Sequence, residues 1–177
     1  MTARFAPPAP PSLRLGVIGN CAYSALIDER ARVVWCCLPR FDGDPVFNAL
    51  LDPSERGSDW AFDIEDFASA EQAYVPNTAI LRTVLTDTHG QRLEIIDFAP
   101  RFQSRSRYFR PMMMVRRVRP LSGAPRLRVR LNPRFDWGRR APGLTQGSNH
   151  LRFVGDNLTL RLNTDAPLSY VLSQQPF

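Results

Sequence analysis

The sequence predicts an all-β fold, an antiparallel β-sandwich, on three observations. Short apolar runs separated by turn residues recur from residue 13 onward, as they do in antiparallel sheets. Sixteen prolines in 177 residues are more than a helical bundle tolerates. The runs do not alternate with long helical patterns, which argues against a doubly wound parallel sheet. Two packed antiparallel sheets explain this pattern best.

Strands are predicted wherever an apolar run stands between turn signals. Two hairpins are the clearest, one over residues 23–38 and one over residues 78–98, the second turning at Asp87-Thr88-His89-Gly90. Residues 142–148 are predicted to form a loop. The predicted strands are 13–18, 23–27, 32–38, 60–64, 78–86, 92–98, 112–118, 126–131, 151–154, 158–162 and 168–172.

One short helix is predicted near residues 45–51. Asp44 is a suitable N-cap, and Pro45 fits the first turn, where its missing N–H costs nothing. Apolar residues then recur at helical spacing. They are Val46, Phe47, Leu50 and Leu51.

The sequence divides into a short N-terminal arm and one domain. Residues 1–12 are rich in Pro and Ala and are predicted to be flexible, and residues 13–177 are predicted to form a single sandwich. Because the sequence stops soon after an apolar run, we expect the sandwich to be incomplete at its C-terminus. An incomplete sheet exposes a strand edge, through which copies of the chain could pair.

All 23 basic residues are arginine, and the formal net charge is +6. The arginines are scattered, and we find no basic run interleaved with stacking aromatics, so nucleic acid is not an expected partner. In residues 126–131, arginine alternates with Leu127, Val129 and Leu131. This alternation predicts one core face and one solvated row of arginines.

The cysteines and the apolar runs indicate a reduced protein without cofactor or membrane span. Cys21, Cys36 and Cys37 lack CxxC spacing, so neither a disulfide framework nor a metal site is expected. Neither a signal peptide nor an apolar stretch of about 20 residues is found. The expected location is the cytoplasm.

Carboxylates are the remaining candidates for chemistry, because no nucleophile, P-loop or zinc-binding motif is found. Two carboxylates can hydrolyse a glycosidic bond. The candidates at predicted strand ends are Asp42, Asp44, Asp97 and Asp136. However, Arg40 precedes Asp42 by two residues and Arg134 precedes Asp136 by two, so salt bridges are the favoured interpretation. A salt bridge lowers the pKa of a carboxyl group, which does not suit a general acid.

Aromatic residues offer a second kind of site, a platform on which a sugar ring stacks. The candidates are Trp35, Phe41, Tyr108 and Trp137. For Trp35, which lies inside an apolar run, core packing is the favoured interpretation. For Trp137, beside Gly138, exposure and core packing stay equally open.

Several blocks resemble, in order, the trehalase-like N-terminal domain of glycoside hydrolase family 15. The first runs from Ile18-Gly19-Asn20 through Ala25-Leu26-Ile27 to Trp35-Cys36-Cys37-Leu38-Pro39-Arg40-Phe41-Asp42 and Pro45-Val46-Phe47-Asn48-Ala49-Leu50-Leu51-Asp52. Later blocks are Tyr74-Val75-Pro76-Asn77-Thr78 with the following Leu81, Ile96-Asp97-Phe98-Ala99-Pro100, Val115-Arg116-Arg117-Val118, and Leu131-Asn132-Pro133-Arg134-Phe135-Asp136-Trp137-Gly138. Two turns depart from the family pattern, at Asn20-Cys21-Ala22 and at Val33-Val34, which leaves any polar role of those turns open.

The resemblance implies a β-supersandwich without catalytic residues of its own. In that family two glutamates on a C-terminal (α/α)6 barrel carry out an inverting hydrolysis, and the barrel would be the partner, in cis or as a separate chain. Loops of the N-terminal domain can border the mouth of the active site, where an α-glucoside binds. Our candidates for barrel docking or for the substrate mouth are Arg40, Phe41, Asp42, Asp44, Arg134, Phe135, Asp136 and Trp137.

These candidates include both copies of the motif PRFD, while a third PRF at Pro100-Arg101-Phe102 lacks the acid and is interpreted as a coincidence. Two functions are compatible with the sequence. The first is a noncatalytic N-terminal domain that supports a family 15 catalytic barrel. The alternative is a freestanding carbohydrate-binding or partner-binding β-sandwich module.

Overall fold

Fifteen strands and one short helix are found in the part of the chain that the computed structural model describes, residues 5, 10, 12–52 and 58–177. The strands are β1 (Leu15–Gly19), β2 (Ser24–Asp28), β3 (Val33–Cys37), β4 (Pro45–Phe47), β5 (Trp60–Ile64), β6 (Phe67–Tyr74), β7 (Leu81–Asp87), β8 (Arg92–Phe98), β9 (Phe102–Ser104), β10 (Arg107–Phe109), β11 (Val115–Ser122), β12 (Leu127–Leu131), β13 (Gly143–Gln146), β14 (His150–Val154) and β15 (Thr159–Asn163). The helix, α1, spans Leu168–Ser173.

The strands form three sheets and one separate hairpin, and every pair is antiparallel. The large sheet has the order β1-β2-β3-β5-β12, and β4 joins it at β3. A four-stranded sheet has the order β11-β8-β7-β6, and a three-stranded sheet has the order β13-β14-β15. Strands β1 and β5 of the large sheet contact β7 of the four-stranded sheet, so these two sheets pack as layers. The predicted antiparallel β-sandwich is confirmed.

Two clusters of buried side chains hold the sheets together. The first contains Phe62 of the large sheet, Ile95 of the four-stranded sheet and Leu151 of the three-stranded sheet. The second is built around Ile27 and Phe47 at the end of the large sheet that carries β1 to β4. Burial of such side chains contributes about 1.5–3 kcal/mol each. The clusters therefore hold the sheets in a fixed arrangement, from which the connecting loops extend.

The helix predicted at residues 45–51 is wrong. Pro45, Val46 and Phe47 are all buried, and they form β4, which pairs with β3 through Cys36 and Cys37. Neighbours on both faces cover this strand, so apolar residues occur in succession and imitate a helical stripe. After β4 the chain makes only a single turn, in which the Asp52 N–H donates to the Asn48 carbonyl oxygen at 3.2 Å.

Two other predictions near the C-terminus are also wrong. The strand predicted at 168–172 is α1, because Leu168 and Val171, three residues apart, bury one face while the residues between them are exposed. Gln174, in the left-handed region at φ 52°, closes the helix by donating its N–H to the Tyr170 carbonyl oxygen. The loop predicted at 142–148 contains β13, which pairs with β14.

The arginines at and beside β12 are ion-paired, and Arg128 and Arg130 are mostly withdrawn from solvent while Arg126 stays exposed. Arg130 is buried, and its guanidinium lies 2.9 Å from Asp59 and 2.7 Å from Asp63. Arg128 also pairs with Asp63, at 2.9 Å, and Arg126 lies 3.5 Å from Glu65. The prediction of a wet arginine face is wrong for Arg128 and Arg130, because Asp63 of the neighbouring strand β5 and Asp59 just before it pair with them.

Other parts of the chain hydrogen-bond to backbone groups on β1 and β12, the strands at the two ends of the large sheet. The Tyr74 hydroxyl accepts from the Val17 N–H at 2.7 Å and donates to the Val17 carbonyl oxygen at 2.9 Å. At the other edge, Leu127 and Phe177 exchange two backbone hydrogen bonds of 3.0 Å. The expected open strand edge is therefore partly covered at Val17 and Leu127.

The N-terminal arm predicted for residues 1–12 lies mostly outside the described residues. Of those that are described, Phe5 places its ring under the guanidinium of Arg128, 4.7 Å from the ring centroid. Within the described ranges, no helix has the length and apolar character needed to cross a membrane.

Candidate functional site

Both PRFD blocks are attached to the same short strand, β4. The first block runs through a turn closed by a 3.1 Å hydrogen bond from the Gly43 N–H to the Arg40 carbonyl oxygen, and then enters β4 at Pro45. The second block reaches β4 sideways, where the Arg134 N–H donates to the Val46 carbonyl oxygen at 3.0 Å. We call residues 38–44 the first loop and residues 132–140 the second loop. Blocks about ninety residues apart in sequence thus meet at one strand.

Ser58 connects the strand to the second loop. Its side chain is fully buried, and its Oγ lies 2.5 Å from the Val46 carbonyl oxygen and 2.8 Å from the Asn132 carbonyl oxygen. Asn48 accepts a hydrogen bond from the Ser58 N–H at 3.2 Å, and a Cβ on Gly138 would collide with its amide group. This polar packing fixes where the second loop leaves the sheet.

The first loop carries the ion pair that its sequence predicts. Arg40 Nε and Nη2 lie 2.9 and 3.1 Å from the two oxygens of Asp42. The hydrogen bond from Arg40 lowers the pKa of Asp42, which keeps it ionised and unsuited to donate a proton. Phe41 stands between them with 56% of its surface exposed, and Asp44 is exposed as well.

The second loop does not carry the pair that its sequence predicts. Asp136 lies 3.7 Å from Arg139 rather than against Arg134. The chain is not extended here, because Asp136, Trp137 and Gly138 have φ values of 49°, 54° and 87°. Three successive residues in the left-handed region turn the chain sharply, so residues two apart no longer share a side.

The two aromatic residues of the second loop have different surroundings. Phe135 packs against the second core cluster, and a Cβ on Gly155 would come within 2.9 Å of its ring. Paired backbone hydrogen bonds of 3.0 and 3.1 Å between Phe135 and Arg140 close the loop. Arg140 is in turn held by Asp156. Trp137, at the tip, remains 51% exposed, so it is presented on a closed loop.

Asp97 is not part of this site. It lies on β8 of the four-stranded sheet, and its fully buried side chain forms a 2.8 Å ion pair with Arg116 of β11. Trp35 is half-buried in β3, while Tyr108 is exposed on the β9–β10 hairpin. Among the described residues, no group of three or more His, Cys, Asp or Glu side chains could hold a metal ion.

Comparison with known proteins identifies the domain. The family model for the N-terminal region of trehalase-like proteins matches residues 5–171. The chain belongs to the trehalase-like N-terminal domain family. The match covers both loops, β4 and the sheets that carry them.

Similar proteins include trehalases from archaea and bacteria. The chain is 31% identical to Trehalase 1 of Sulfolobus acidocaldarius over 159 residues, which are 86% of this chain and 25% of that protein. It is 32% identical to a trehalase of Mycolicibacterium smegmatis over 148 residues, 75% of this chain and 21% of that protein. It therefore spans about a quarter of the length of these relatives. No solved structure matches the chain significantly.

Within this trehalase-like domain, sequence reasoning missed the residues that hold the loops. Ser58 and Asn48 make the bonds around β4, yet isolated serines and asparagines carry no signal of such a role. On the β9–β10 hairpin it singled out only Tyr108, as a sugar-stacking candidate, and it interpreted the third PRF, whose Phe102 begins β9, as a coincidence. A signal for that hairpin was present, because arginines and aromatics do interleave between residues 101 and 110, and the statement that no such run occurs is therefore wrong for this segment.

Proposed function

We propose that this chain is the noncatalytic N-terminal domain of a family 15 glycoside hydrolase. In this proposal it supports an (α/α)6 catalytic barrel, whose two glutamates perform inverting hydrolysis of an α-glucosidic bond. The first and second loops dock on the barrel and border the mouth where the α-glucoside enters.

The domain-wide family match carries this proposal. Residues 5–171 correspond to the N-terminal region of trehalase-like proteins, and the chain aligns with about a quarter of each of the two trehalases. An N-terminal domain of this kind implies a C-terminal catalytic domain as its partner in the parent enzyme.

The chemistry of the candidate acids also favours a supporting role. Asp42 is held ionised by Arg40, and Asp97 is buried against Arg116. A glycosidase needs one carboxyl group that keeps its proton until it donates it to the leaving oxygen. Asp42 does not meet that requirement, and the Asp97 side chain is completely buried, where a substrate does not reach it.

The geometry at β4 suits docking. The first loop presents Phe41 and the second presents Trp137, both about half exposed, beside the charged groups Arg40 and Arg139. Exposed aromatic and arginine side chains on fixed loops are typical of the anchors of protein interfaces. The backbone hydrogen bond from Arg134 to β4 and the bond from the Ser58 hydroxyl to Asn132 order the second loop before any partner binds.

Hydrolysis by the isolated chain tests the noncatalytic assignment. The purified chain is incubated with trehalose, maltose and an aryl α-glucoside, and released glucose or aglycone is measured against an enzyme-free control. We expect rates equal to the control with all three substrates. Turnover above the control that survives repeated purification would overturn the assignment.

The half-exposed Trp137 supports the second candidate function, a freestanding carbohydrate-binding module. Its indole stands at the tip of a closed loop, where it could stack on a sugar ring. Titration calorimetry of the chain with malto-oligosaccharides decides this alternative. Binding at millimolar sugar that is lost in Trp137→Ala would support it, while no heat with either protein would exclude it.

A further inference from the structure

A projecting hairpin separates β8 from β11. Phe98 and Val115 are the last paired residues of these strands, and between them the chain leaves the four-stranded sheet to form β9 and β10. We call residues 101–113 the arm, a segment distinct from the N-terminal residues 1–12. Every residue of the arm except Pro111 is exposed. Its large apolar side chains are Phe102, Tyr108, Phe109, Met112 and Met113.

A single buried amide fixes both ends of the arm. Asn20, in the turn between β1 and β2, donates from Nδ2 to the Pro100 carbonyl oxygen at 2.9 Å and to the Pro111 carbonyl oxygen at 2.8 Å. From the same turn, the Tyr23 hydroxyl donates to the Met113 carbonyl oxygen at 2.6 Å. Because these donors are buried and come from the large sheet, the arm has a fixed base.

The tip of the arm is held in an unusual backbone conformation. Arg105 and Ser106 have φ values of 48° and 64°, and Ser104 pairs with Arg107 on either side of them. Two central residues with positive φ make the tight turn that suits a two-residue hairpin, although Asn and Gly are the usual residues there. The tip therefore presents a charged side chain where a small residue would be easier to accommodate.

The surface of the arm combines rings and positive charge. Phe102 and Phe109 stack with centroids 5.5 Å apart, and the Arg101 guanidinium lies 5.6 Å from the centre of the Tyr108 ring. Residues 101–113 contain four arginines and no acid, so they carry four of the six net positive charges of the chain. Aromatic residues, Met and Arg are the types enriched in protein interfaces.

We propose that the arm is a preordered docking element, which binds an acidic surface with an apolar centre on the catalytic domain of the parent enzyme. This inference rests on the proposed function, and it adds a contact made by residues other than those of the first and second loops. The charge of the arm requires acids on the partner, and its exposed rings and methionines require an apolar centre. Its fixed base reduces the entropy lost on binding.

A protein partner fits the arm better than a nucleic acid. Single-stranded nucleic acid is bound by free aromatic faces on which bases stack. In the arm, Phe102 and Phe109 cover one face of each other, and Arg101 lies over Tyr108. Met112 and Met113, adjacent to the hairpin, offer flexible apolar contacts of the kind that adapt to protein surfaces.

The test compares two charge reversals of equal size. The chain is coexpressed with a trehalase-type catalytic domain of its source organism, and the dissociation constant of the purified complex is measured. One variant carries Arg105→Glu and Arg107→Glu in the arm. The control carries Arg152→Glu and Arg161→Glu, two exposed arginines that face each other on β14 and β15. Circular dichroism and thermal melting check that both variants fold like the parent chain.

We expect the arm variant to weaken the complex about tenfold or more, with the control variant unchanged. Phe109→Ala, which leaves the net charge unchanged, should also weaken the complex. If the complex forms and the arm variant binds like the control, the arm proposal is wrong and the proposed function stands. If the wild-type chain forms no complex, both fail. Loss of binding to a labelled oligothymidylate in the arm variant, with the protein complex unchanged, would assign the arm to nucleic acid instead.

Discussion

Arg116 and Asp97 form a two-pronged ion pair in the interior of the domain. Arg116 Nε lies 2.8 Å from Oδ1 and Nη2 lies 3.1 Å from Oδ2, and both side chains are completely buried. Arg116 also donates to the Trp60 carbonyl oxygen at 2.7 Å and to that of Ala31. Its guanidinium lies 4.7 Å from the centre of the Phe62 ring. A charged pair on β8 and β11 is thereby joined to the large sheet.

Removing one member of this pair should destabilise the domain strongly. In Asp97→Asn the buried guanidinium loses its counter-charge, and a broken buried pair typically costs about 3–5 kcal/mol. Urea unfolding followed by tryptophan fluorescence measures the change. The exposed pair provides the control, since Asp42→Asn should change the stability little in comparison. Equal effects of the two substitutions would show that the buried pair has no special role.

Ser58→Ala should lower the stability of the domain and loosen the second loop. The substitution removes the hydroxyl shared by the Val46 and Asn132 carbonyl oxygens, and an unsatisfied buried polar group costs about 1–3 kcal/mol. Urea unfolding gives the stability, and hydrogen exchange of the Arg134 amide reports the loop. Ser69→Ala, at an exposed position of β6, serves as control. Unchanged exchange at Arg134 would contradict the proposed link.

Only one of the three cysteines should react with a thiol reagent in the native protein. Burial raises the pKa of Cys36 to about 12 and raises the pKa of Cys37, whereas Cys21 is exposed. Thiolate is the reactive form, so burial protects Cys36 and Cys37 both by blocking access of the reagent and by keeping the thiols protonated. Reaction with Ellman's reagent at about pH 8 should release one equivalent from the native chain and three in urea. Cys21→Ser should release none before unfolding, and rapid release of two would contradict the burial of the pair.

Stability should fall in acid because of Glu94. Hydrogen bonds from Arg119, and then from Arg82, hold the pKa of Glu94 below its ordinary value of 4.5. The folded protein therefore binds this proton less readily than the unfolded chain does, so the contribution of Glu94 is present above about pH 4.5 and is lost as pH falls through the folded pKa.

The urea midpoint measured from about pH 6 to pH 3 reports this effect. Glu94→Gln should make the pH dependence shallower than in the parent chain. Glu71→Gln removes an exposed carboxylate that lies 3.8 Å from Arg92, and it should leave the dependence nearly unchanged. Parallel curves for the parent and Glu94→Gln would contradict the prediction.

Tyr74→Phe should promote self-association. The substitution removes the hydroxyl that occupies the N–H and carbonyl groups of Val17 at the outer edge of β1. Unpaired groups on an edge strand can pair with another copy of the chain. Light scattering after size-exclusion chromatography should show a mass that rises with concentration in the variant more than in the parent. Identical masses at all concentrations would mean that Tyr74 does not protect this edge.

The hairpin strands of the fold were predictable from local pattern. Strands β5 and β8 begin and end where the alternation of apolar residues places them. Prediction failed for β4, where burial on both faces gives three apolar residues in succession, and for β6, whose half-exposed sequence has no clear alternation. In both cases the pairing partner, which a local pattern does not contain, determines the structure.

Sequence patterns predicted which two loops form the candidate site, but they did not predict most of the contacts that their residues make. The Arg40–Asp42 pair follows from a spacing of two residues in a short turn. The corresponding pair in the second loop failed because Asp136 and Trp137 adopt positive φ, which neither residue type signals strongly. The fixed base of the arm depends on Asn20, some eighty to ninety residues from its acceptors, so no sequence pattern could reveal it.

Assembly with a catalytic domain tests the proposed function most directly. The chain is coexpressed with the trehalase-type catalytic domain of its source organism, and the mass of the purified species is measured by light scattering, for the parent and for Phe41→Ser with Trp137→Ser. We expect a complex with the parent chain and free components with the double variant, whose substitutions lie at half-exposed loop positions. A parent chain that elutes alone, or a double variant that assembles equally well, would contradict docking through the loops at β4.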